Sequence, residues 1–528
     1  MPQDVQVNPW DTNFKSLPHE EFEGRPERSQ SMRFSKSVIP KLIGRLLPEE
    51  RSRAHPRLEL TNFGGNEVWK ARCYRPETED DVLEILNFHK KERIRPVGAL
   101  HSWSGAPVCR SIMLDMSCFN SVETVHRGDK LIARLGGGAS VQRALDVLHA
   151  TTANTFPVQG AISKQSIAGA ISTATHGSGG PSLSHFVKGI RVAAYDPRNK
   201  RAKIYEYEDG EELRAARCAL GTMGVILSVD LLTVPKYLVE ETLVARSSLT
   251  AVLRDYERQP MSQFAFFPYR WEFLAYQRRS HILRPLTSAE KLFGAFFAAN
   301  NFLGTDVLFH VLVKGALALG NKAARSLMHL APKLALTGKT NIGPSHDILT
   351  MAHDLFQHEE MEVFIPETKL EQAVGLLRYA TSVFAGLDVE MTGPLVQALK
   401  NHDLYDELQS HRGTYTQHYP FFFRYVHPED DMIGMASGSE AYFSCSVFTY
   451  FGPDNRDRYY RFCSWLGRAL HHIVDARFHW GKHVPVGHQE LSRVYPEMPR
   501  FRELAQSTDP NGVFRNDFVN EVLGFSSP

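Results

Sequence analysis

Residues 160–180 read GAISKQSIAGAISTATHGSGG, and fifteen of these twenty-one are Gly, Ala, Ser or Thr. Side chains this small let backbone N–H groups approach a bulky anion, and the hydroxyls add donors for phosphate oxygens. The chemistry to expect is binding of a large phosphate-bearing cofactor, with a tightly packed Ala/Gly helix and its turn as the alternative. The run follows neither GxGxxG nor GxxxxGK[ST], so neither a dinucleotide βαβ fingerprint nor a P-loop is indicated.

Around this run lie short apolar stretches that end in Gly or His turns, the pattern of buried strands feeding loops. They are Arg95-Pro-Val-Gly-Ala-Leu-His101-Ser102-Trp103, Ile112-Met-Leu-Asp-Met, Leu131-Ile-Ala-Arg-Leu-Gly136-Gly-Gly and Cys218-Ala-Leu-Gly-Thr-Met-Gly224-Val225-Ile. Their order resembles the FAD-binding PCMH-type domain of the vanillyl-alcohol oxidase flavoprotein superfamily, and within it the aldonolactone oxidase and alditol oxidase branch. The resemblance spans roughly residues 60–236 and returns in Phe478-His479-Trp480-Gly-Lys482 and Asp509-Pro-Asn-Gly-Val-Phe-Arg-Asn516.

What the resemblance implies is FAD, joined covalently through His101. Gly98-Ala-Leu-His101-Ser102 occupies the place of the branch's Gly-x-x-His-Ser turn, whose His bonds the 8α-methyl carbon of the flavin. That attachment needs a neutral imidazole nitrogen, which His supplies near neutral pH. A noncovalent flavin beside a hydrogen-bonding His101 is the alternative. Leu100 and Trp103 depart from the pattern, since many relatives have Gly or a small residue at the first and no Trp at the second. Gly160 matches the position beside flavin C4a and N5 where a missing Cβ admits dioxygen, which implies an oxidase releasing hydrogen peroxide; a turn glycine is the alternative. Ser163, Ser166, Gly169, Thr173, His176 and Gly177 would follow the pyrophosphate and ribityl chain. Gly136, Gly224, Val225, His479 and Trp480 complete the implied cofactor contacts.

On the substrate side, a group must hold or remove a hydroxyl proton while hydride leaves carbon. Lys482 matches the family's His-Trp-x-Lys pattern, and Arg424, in Phe421-Phe-Phe-Arg-Tyr, matches its strand ending in Glu-x-Arg. A fixed cation there would stabilise a developing alkoxide or the reduced flavin anion. Phe422 stands where the polyol and lactone enzymes carry Glu, so an aromatic surface replaces a sugar-binding carboxylate. Phe421, Phe422, Phe423, Tyr425, Tyr442 and Phe443 are candidates for that surface, though alternate residues of a strand face opposite sides. Glu360 and Glu362 are candidate replacement carboxylates, with an edge salt bridge as the competing explanation.

The elements that must position these groups follow from periodicity. The fold class expected is α+β. A polar N-terminal extension, 1–60, carries one amphipathic basic helix near 33–53. A two-subdomain FAD-binding domain over 61–236 precedes an antiparallel-sheet substrate domain over 237–475, and 476–528 returns to the flavin. Residues 288–338 form an apolar helical insertion, too interrupted to span a membrane. It and the 33–53 helix are the two candidate surfaces for peripheral membrane contact.

With 528 residues, 43% of them apolar, the chain can build two cores, and 60 basic against 59 acidic residues exclude a nucleic-acid footprint. Six cysteines without CxxC spacing and a start lacking a signal-peptide pattern point to a cytoplasmic protein. No metal-ligand spacing is evident among the 23 histidines. The leading expectation is an FAD oxidase acting on the CH–OH of a small alcohol or lactone, with O2 as acceptor. A membrane-associated dehydrogenase passing electrons to a quinone or cytochrome, and a noncatalytic scaffold, are the alternatives.

Overall fold

The computed structural model describes residues 57–300, 308–334, 337–350, 357–450 and 453–526. The basic helix expected near 33–53 lies outside them. The architecture is α+β, with three larger sheets and a two-stranded ribbon.

A four-stranded sheet runs in the order Arg57–Thr61, Val68–Tyr74, Ile112–Asp115, Ile94–Val97, antiparallel at the first pair and parallel after it. The crossover helix Glu79–Phe88 starts at a capping box in which Thr78 Oγ1 accepts from the Asp81 N–H at 3.1 Å. Ile112–Asp115 is buried along its whole length, as a parallel strand covered on both faces should be.

The second sheet is antiparallel, in the order Val122–Arg127, Lys130–Gly136, Val225–Leu232, Val187–Tyr195, Ala202–Tyr207. Pairing Lys130–Gly136 with Val225–Leu232 brings two glycine turns together. Gly137 N–H donates to the Leu227 carbonyl at 2.9 Å, and Ala168 N–H to the Gly137 carbonyl at 3.0 Å. The short helix Ile167–Ser172 therefore begins against these turns, capped by Ser166, whose Oγ accepts from Gly169 N–H at 3.2 Å.

Eight antiparallel strands form the third sheet. Their order is Thr340–Pro344, Tyr237–Arg246, Phe273–Ile282, Gln263–Phe266, Phe421–Val426, Tyr442–Tyr450, His358–Pro366, Arg477–Phe478. Register decides which aromatics are structural. Phe421 and Phe423 are fully buried, and Phe264 stacks on Phe423 with ring centroids 4.5 Å apart. Of the six aromatics considered for a substrate surface, these two belong to the core, and Phe443 joins them there. Tyr442 is also committed elsewhere, its ring lying under the Arg477 guanidinium at 4.8 Å. Phe422 and Arg424 point to the opposite face because strand side chains alternate.

Helices Ser288–Asn300, Phe309–Ala318 and Asn321–Leu330 interrupt the third sheet and pack on it through Phe297, Val313 and Met328. Among the described residues, no helix is long and apolar enough to cross a membrane. The C-terminal segment is tied to both larger parts of the fold. Phe478 pairs with Val363, and Asn516 Nδ2 donates to the carbonyls of Gly105, Ala106 and Val108 at 2.8–3.0 Å.

Candidate active site

The two glycine turns, the His101 loop and the C-terminal segment enclose a cavity of ≈ 1020 Å³. Of the residues singled out above, Gly98, His101, Ser102, Ser166, Gly169, Thr173, Gly224 and His479 line it, as does Lys482. Gly136, Ser163, Val225, Gly160, His176 and Gly177 do not reach its wall; chain neighbours Gly137 and Ile226 do. Trp480 is further away, buried with its Nε1–H on the Ile433 carbonyl at 2.8 Å.

Several details make the cavity a cradle for a large polar ligand. At Gly98 a Cβ would collide with Ser166 Oγ, and Gly224 has φ +124°, where a Cβ would lie 2.5 Å from the Ala193 carbonyl oxygen. Arg95 lies fully inside the wall, giving guanidinium hydrogens to the carbonyls of Phe514, Ala106 and Leu220 at 2.6–2.8 Å. Its buried Nε and the buried Ser102 Oγ have no hydrogen-bond partner among the described residues. Buried donors left in this state in a wide cavity fit a polar group that the protein alone does not supply. A phosphate-bearing flavin nucleotide would meet these free donors.

His101 is held rigidly. Its ring stacks on Phe63 at 4.1 Å, and Leu100 before it adopts φ +52°. That left-handed backbone costs a side-chain-bearing residue about 1–2 kcal/mol, which accounts for small residues being common there in relatives. Burial, followed by the charge of Lys482 and by His358 and Lys164, pulls the His101 pKa down to about 3, so the ring is neutral. Trp103 fastens the loop to the C-terminal segment: its N–H donates to the Gly481 carbonyl at 2.8 Å and its indole N–H to the His358 carbonyl at 2.5 Å. Lys482 Nζ sits over the Trp103 ring, 3.6 Å from the centroid, and pairs with the Glu360 carboxylate.

Glu360 and Glu362 do not lie on an edge. Their strand, His358–Pro366, is flanked by Tyr442–Tyr450 and by the two-residue Arg477–Phe478 strand, and both side chains are buried. Burial raises the Glu360 pKa; Lys482 opposes this, and the neighbouring Glu362 adds to it. Glu362 is the reverse case. Burial alone would raise it, but His176, His479 and Arg424 hold it well below the usual carboxylate range. Glu362 Oε1 is 3.2 Å from His176 Nε2 and 4.0 Å from Arg424 Nη1. Register explains its place: Phe422 pairs with Ser446 and Ser446 with Glu362, so the carboxylate lies two strands along from Phe422 in one row.

His176, Glu362 and His479 offer ligand atoms within 4.8 Å of one another, a grouping sequence spacing did not reveal. His479 Nδ1 accepts from Gly481 N–H at 3.0 Å, and burial first of all keeps this ring neutral, with a pKa down to about 3. Its proton is then on Nε2. His176 Nδ1 lies 3.0 Å from the Gly177 carbonyl, and its Nε2 and the facing Glu362 Oε1 are buried without a hydrogen-bond partner among the described residues. Glu362 is thus an anionic hub joining the glycine-rich loop, the third sheet and the C-terminal segment.

The glycine-lined cavity, met by the returning C-terminal segment, is the setting of a flavin-dependent oxidoreductase. Comparison with known proteins agrees. Residues 229–522 match the family model described as D-arabinono-1,4-lactone oxidase, and residues 71–198 match one described as FAD binding domain. A protein named long-chain alcohol oxidase, from an uncultured marine euryarchaeote, is 33% identical over 88% of this chain and 96% of its own length. An L-gulono-1,4-lactone dehydrogenase of Mycobacterium tuberculosis is 25% identical over 88% of this chain and 99% of its own. Cholesterol oxidase from B. sterolicum has the same fold, with a TM-score of 0.64 at 15% identity, covering 89% of this chain and 97% of that one. The chain belongs to the D-arabinono-1,4-lactone oxidase family of FAD-linked oxidoreductases acting on CH–OH donors.

Proposed function

We propose that this protein is an FAD-dependent oxidase of an apolar alcohol, with the flavin attached covalently to His101. The observation that carries the substrate class is Phe422, in the row shared with Ser446 and Glu362, where a sugar-binding enzyme of this family has a carboxylate. Phe448 and Tyr419 continue that surface, each with its ring about 6.1 Å from that of Phe422. The relative named long-chain alcohol oxidase supports the same class.

Bound FAD supplies the acceptor for the hydride leaving the carbinol carbon, and dioxygen takes the electrons on to hydrogen peroxide. Lys482 places its ammonium at the cavity wall, where it favours the alkoxide form of the donor, and Glu360 holds that ammonium in position. Arg424 is the second cation, oriented by Glu362. Gly98, Ser102, Ser166, Gly169, Thr173 and Gly224 would hold the cofactor, with His479 against it. In this reading 61–236 houses the flavin, 237–475 the donor, and 476–528 closes the site. Six free cysteines, five of them buried, suit a cytoplasmic location.

Oxygen uptake with a series of 1-alkanols tests the substrate class. Each methylene buried on the aromatic surface is worth about 0.8 kcal/mol, roughly fourfold in kcat/KM. Turnover of aldonolactones or polyols with no alkanol oxidation would overturn the proposal. The M. tuberculosis relative named a dehydrogenase keeps a second reading open, transfer to a quinone or cytochrome. It requires fast dye reduction with negligible peroxide.

A further inference from the structure

The exposed large apolar side chains of this protein are concentrated in one place. Of the ten among the described residues, seven lie on the helical insertion: Leu292, Phe296, Leu308, Val311, Leu312, Leu319 and Leu330. Leu319 is 83% exposed and Leu292 75%. Helices Ser288–Asn300 and Phe309–Ala318 are apolar on both sides. Their inner sides, with Phe293, Phe297, Phe309 and Val313, are used up against the third sheet. Their outer sides carry Leu292 with Phe296, and Val311 with Leu312 and Gly315, at helical spacing. A helix apolar all round normally belongs in a core or in lipid, and a surface patch of this kind marks an interaction site.

Charge selects the occupant. Lys291, Lys314, Lys322 and Lys333 are exposed on these helices and the turn after them. The one acidic side chain among the described residues of the insertion, Glu290, is already bound by Arg284 at 2.8 and 3.0 Å and by Thr287. An apolar face rimmed by unopposed lysines is the complement of an anionic lipid surface, where ring and aliphatic groups enter the acyl boundary and ammonium groups meet the headgroups.

We infer that the outer face of this insertion docks on an anionic lipid bilayer. The inner sides of the same helices share one apolar cluster with Phe422, so the docked face lies against the wall of the proposed donor site. The docking does not depend on the donor's identity; its use in delivering an apolar alcohol rests on the reading above.

Sedimentation with vesicles of mixed phosphatidylcholine and phosphatidylserine, against vesicles of phosphatidylcholine alone, tests it. The flavin-loaded protein is expected to bind the mixed vesicles, at least about tenfold more weakly without phosphatidylserine or in high salt. The combined Leu292→Ser, Phe296→Ser, Val311→Ser and Leu312→Ser variant is expected to lose binding while keeping its melting temperature and its turnover of a short water-soluble alcohol. Lys314→Glu with Lys322→Glu is expected to abolish the preference for phosphatidylserine. No sedimentation of the native protein overturns the inference. So does a concentration-dependent dimer that the serine substitutions disperse without any vesicle binding, since the face would then be a contact between copies.

Discussion

Glu362→Ala removes the anion on which three segments converge. His176 Nε2 would lose the carboxylate 3.2 Å from it, and Arg424 its counter-charge at 4.0 Å. A hydrogen bond to a charged group is worth about 1.5–3 kcal/mol, but contacts to one carboxylate are not additive. Removing one partner of a buried charged cluster costs about 3–5 kcal/mol, and that is the expected loss. Glu362→Gln keeps the shape and removes only the charge, so about 2–4 kcal/mol is expected for it. Urea unfolding followed by tryptophan fluorescence measures both. The sign of the pH dependence gives an independent check. The folded pKa of Glu362 lies below its unfolded value, so its stabilisation is present above about pH 4.5 and is lost as pH falls further, through the folded pKa. The gap between native and Glu362→Gln curves should therefore narrow on acidification below that point. A loss under about 1 kcal/mol for Glu362→Ala at neutral pH, or a gap that widens in acid, refutes the hub.

Three further predictions bear on catalysis and pH. Lys482→Met should lower kcat about 10²–10³-fold with little change in flavin content, whereas Lys482→Arg recovers part of the rate; an unchanged kcat removes Lys482 from the chemistry. Gly160 does not reach the cavity wall, so Gly160→Ala, paired with Thr175→Ser because its Cβ would lie 2.5 Å from Thr175 Cγ2, should leave the ratio of oxygen to dye reoxidation rates unchanged; a selectively slower reaction with oxygen in the double variant would contradict this. His479 and His418 are buried with pKa values pulled down to about 3 and about 4, chiefly by burial. The unfolded chain protonates them first, so stability falls as pH drops through about 6.5, by about 1.4 kcal/mol each at pH 5.5; a urea midpoint unchanged between neutrality and about pH 5.5 contradicts this.

Much of the fold could be read from the sequence because strong local patterns set it. Phe421–Val426 and Tyr442–Tyr450 begin and end as the apolar runs do, and the helices near 79–88 and 141–151 follow their periodicity to within two residues. The cavity lining was legible where a turn fixed it, at Gly98, His101 and Gly224. It was not where long-range pairing decided. The Arg477–Phe478 strand is two residues long, too short for any period, and its pairing with Val363–Phe364 turns an apparent edge into the interior. That single pairing buries Glu360 and Glu362 and brings His479 to Glu362. Arg95 was read only as part of a strand, though its guanidinium ties the cavity wall to the C-terminal motif through the Phe514 carbonyl. Which of the successive phenylalanines faced the donor depended on the covered side of the sheet, and alternation alone leaves that side open.

The most direct test of the central claim is the absorbance spectrum of the purified protein, repeated on pellet and supernatant after acid precipitation, for the native chain and His101→Ala. A flavin spectrum that stays with the native pellet and moves to the supernatant in His101→Ala is the predicted result. A colourless, folded protein that takes up no added FAD would contradict the assignment of the cavity, and colour released from the native protein would contradict the link through His101.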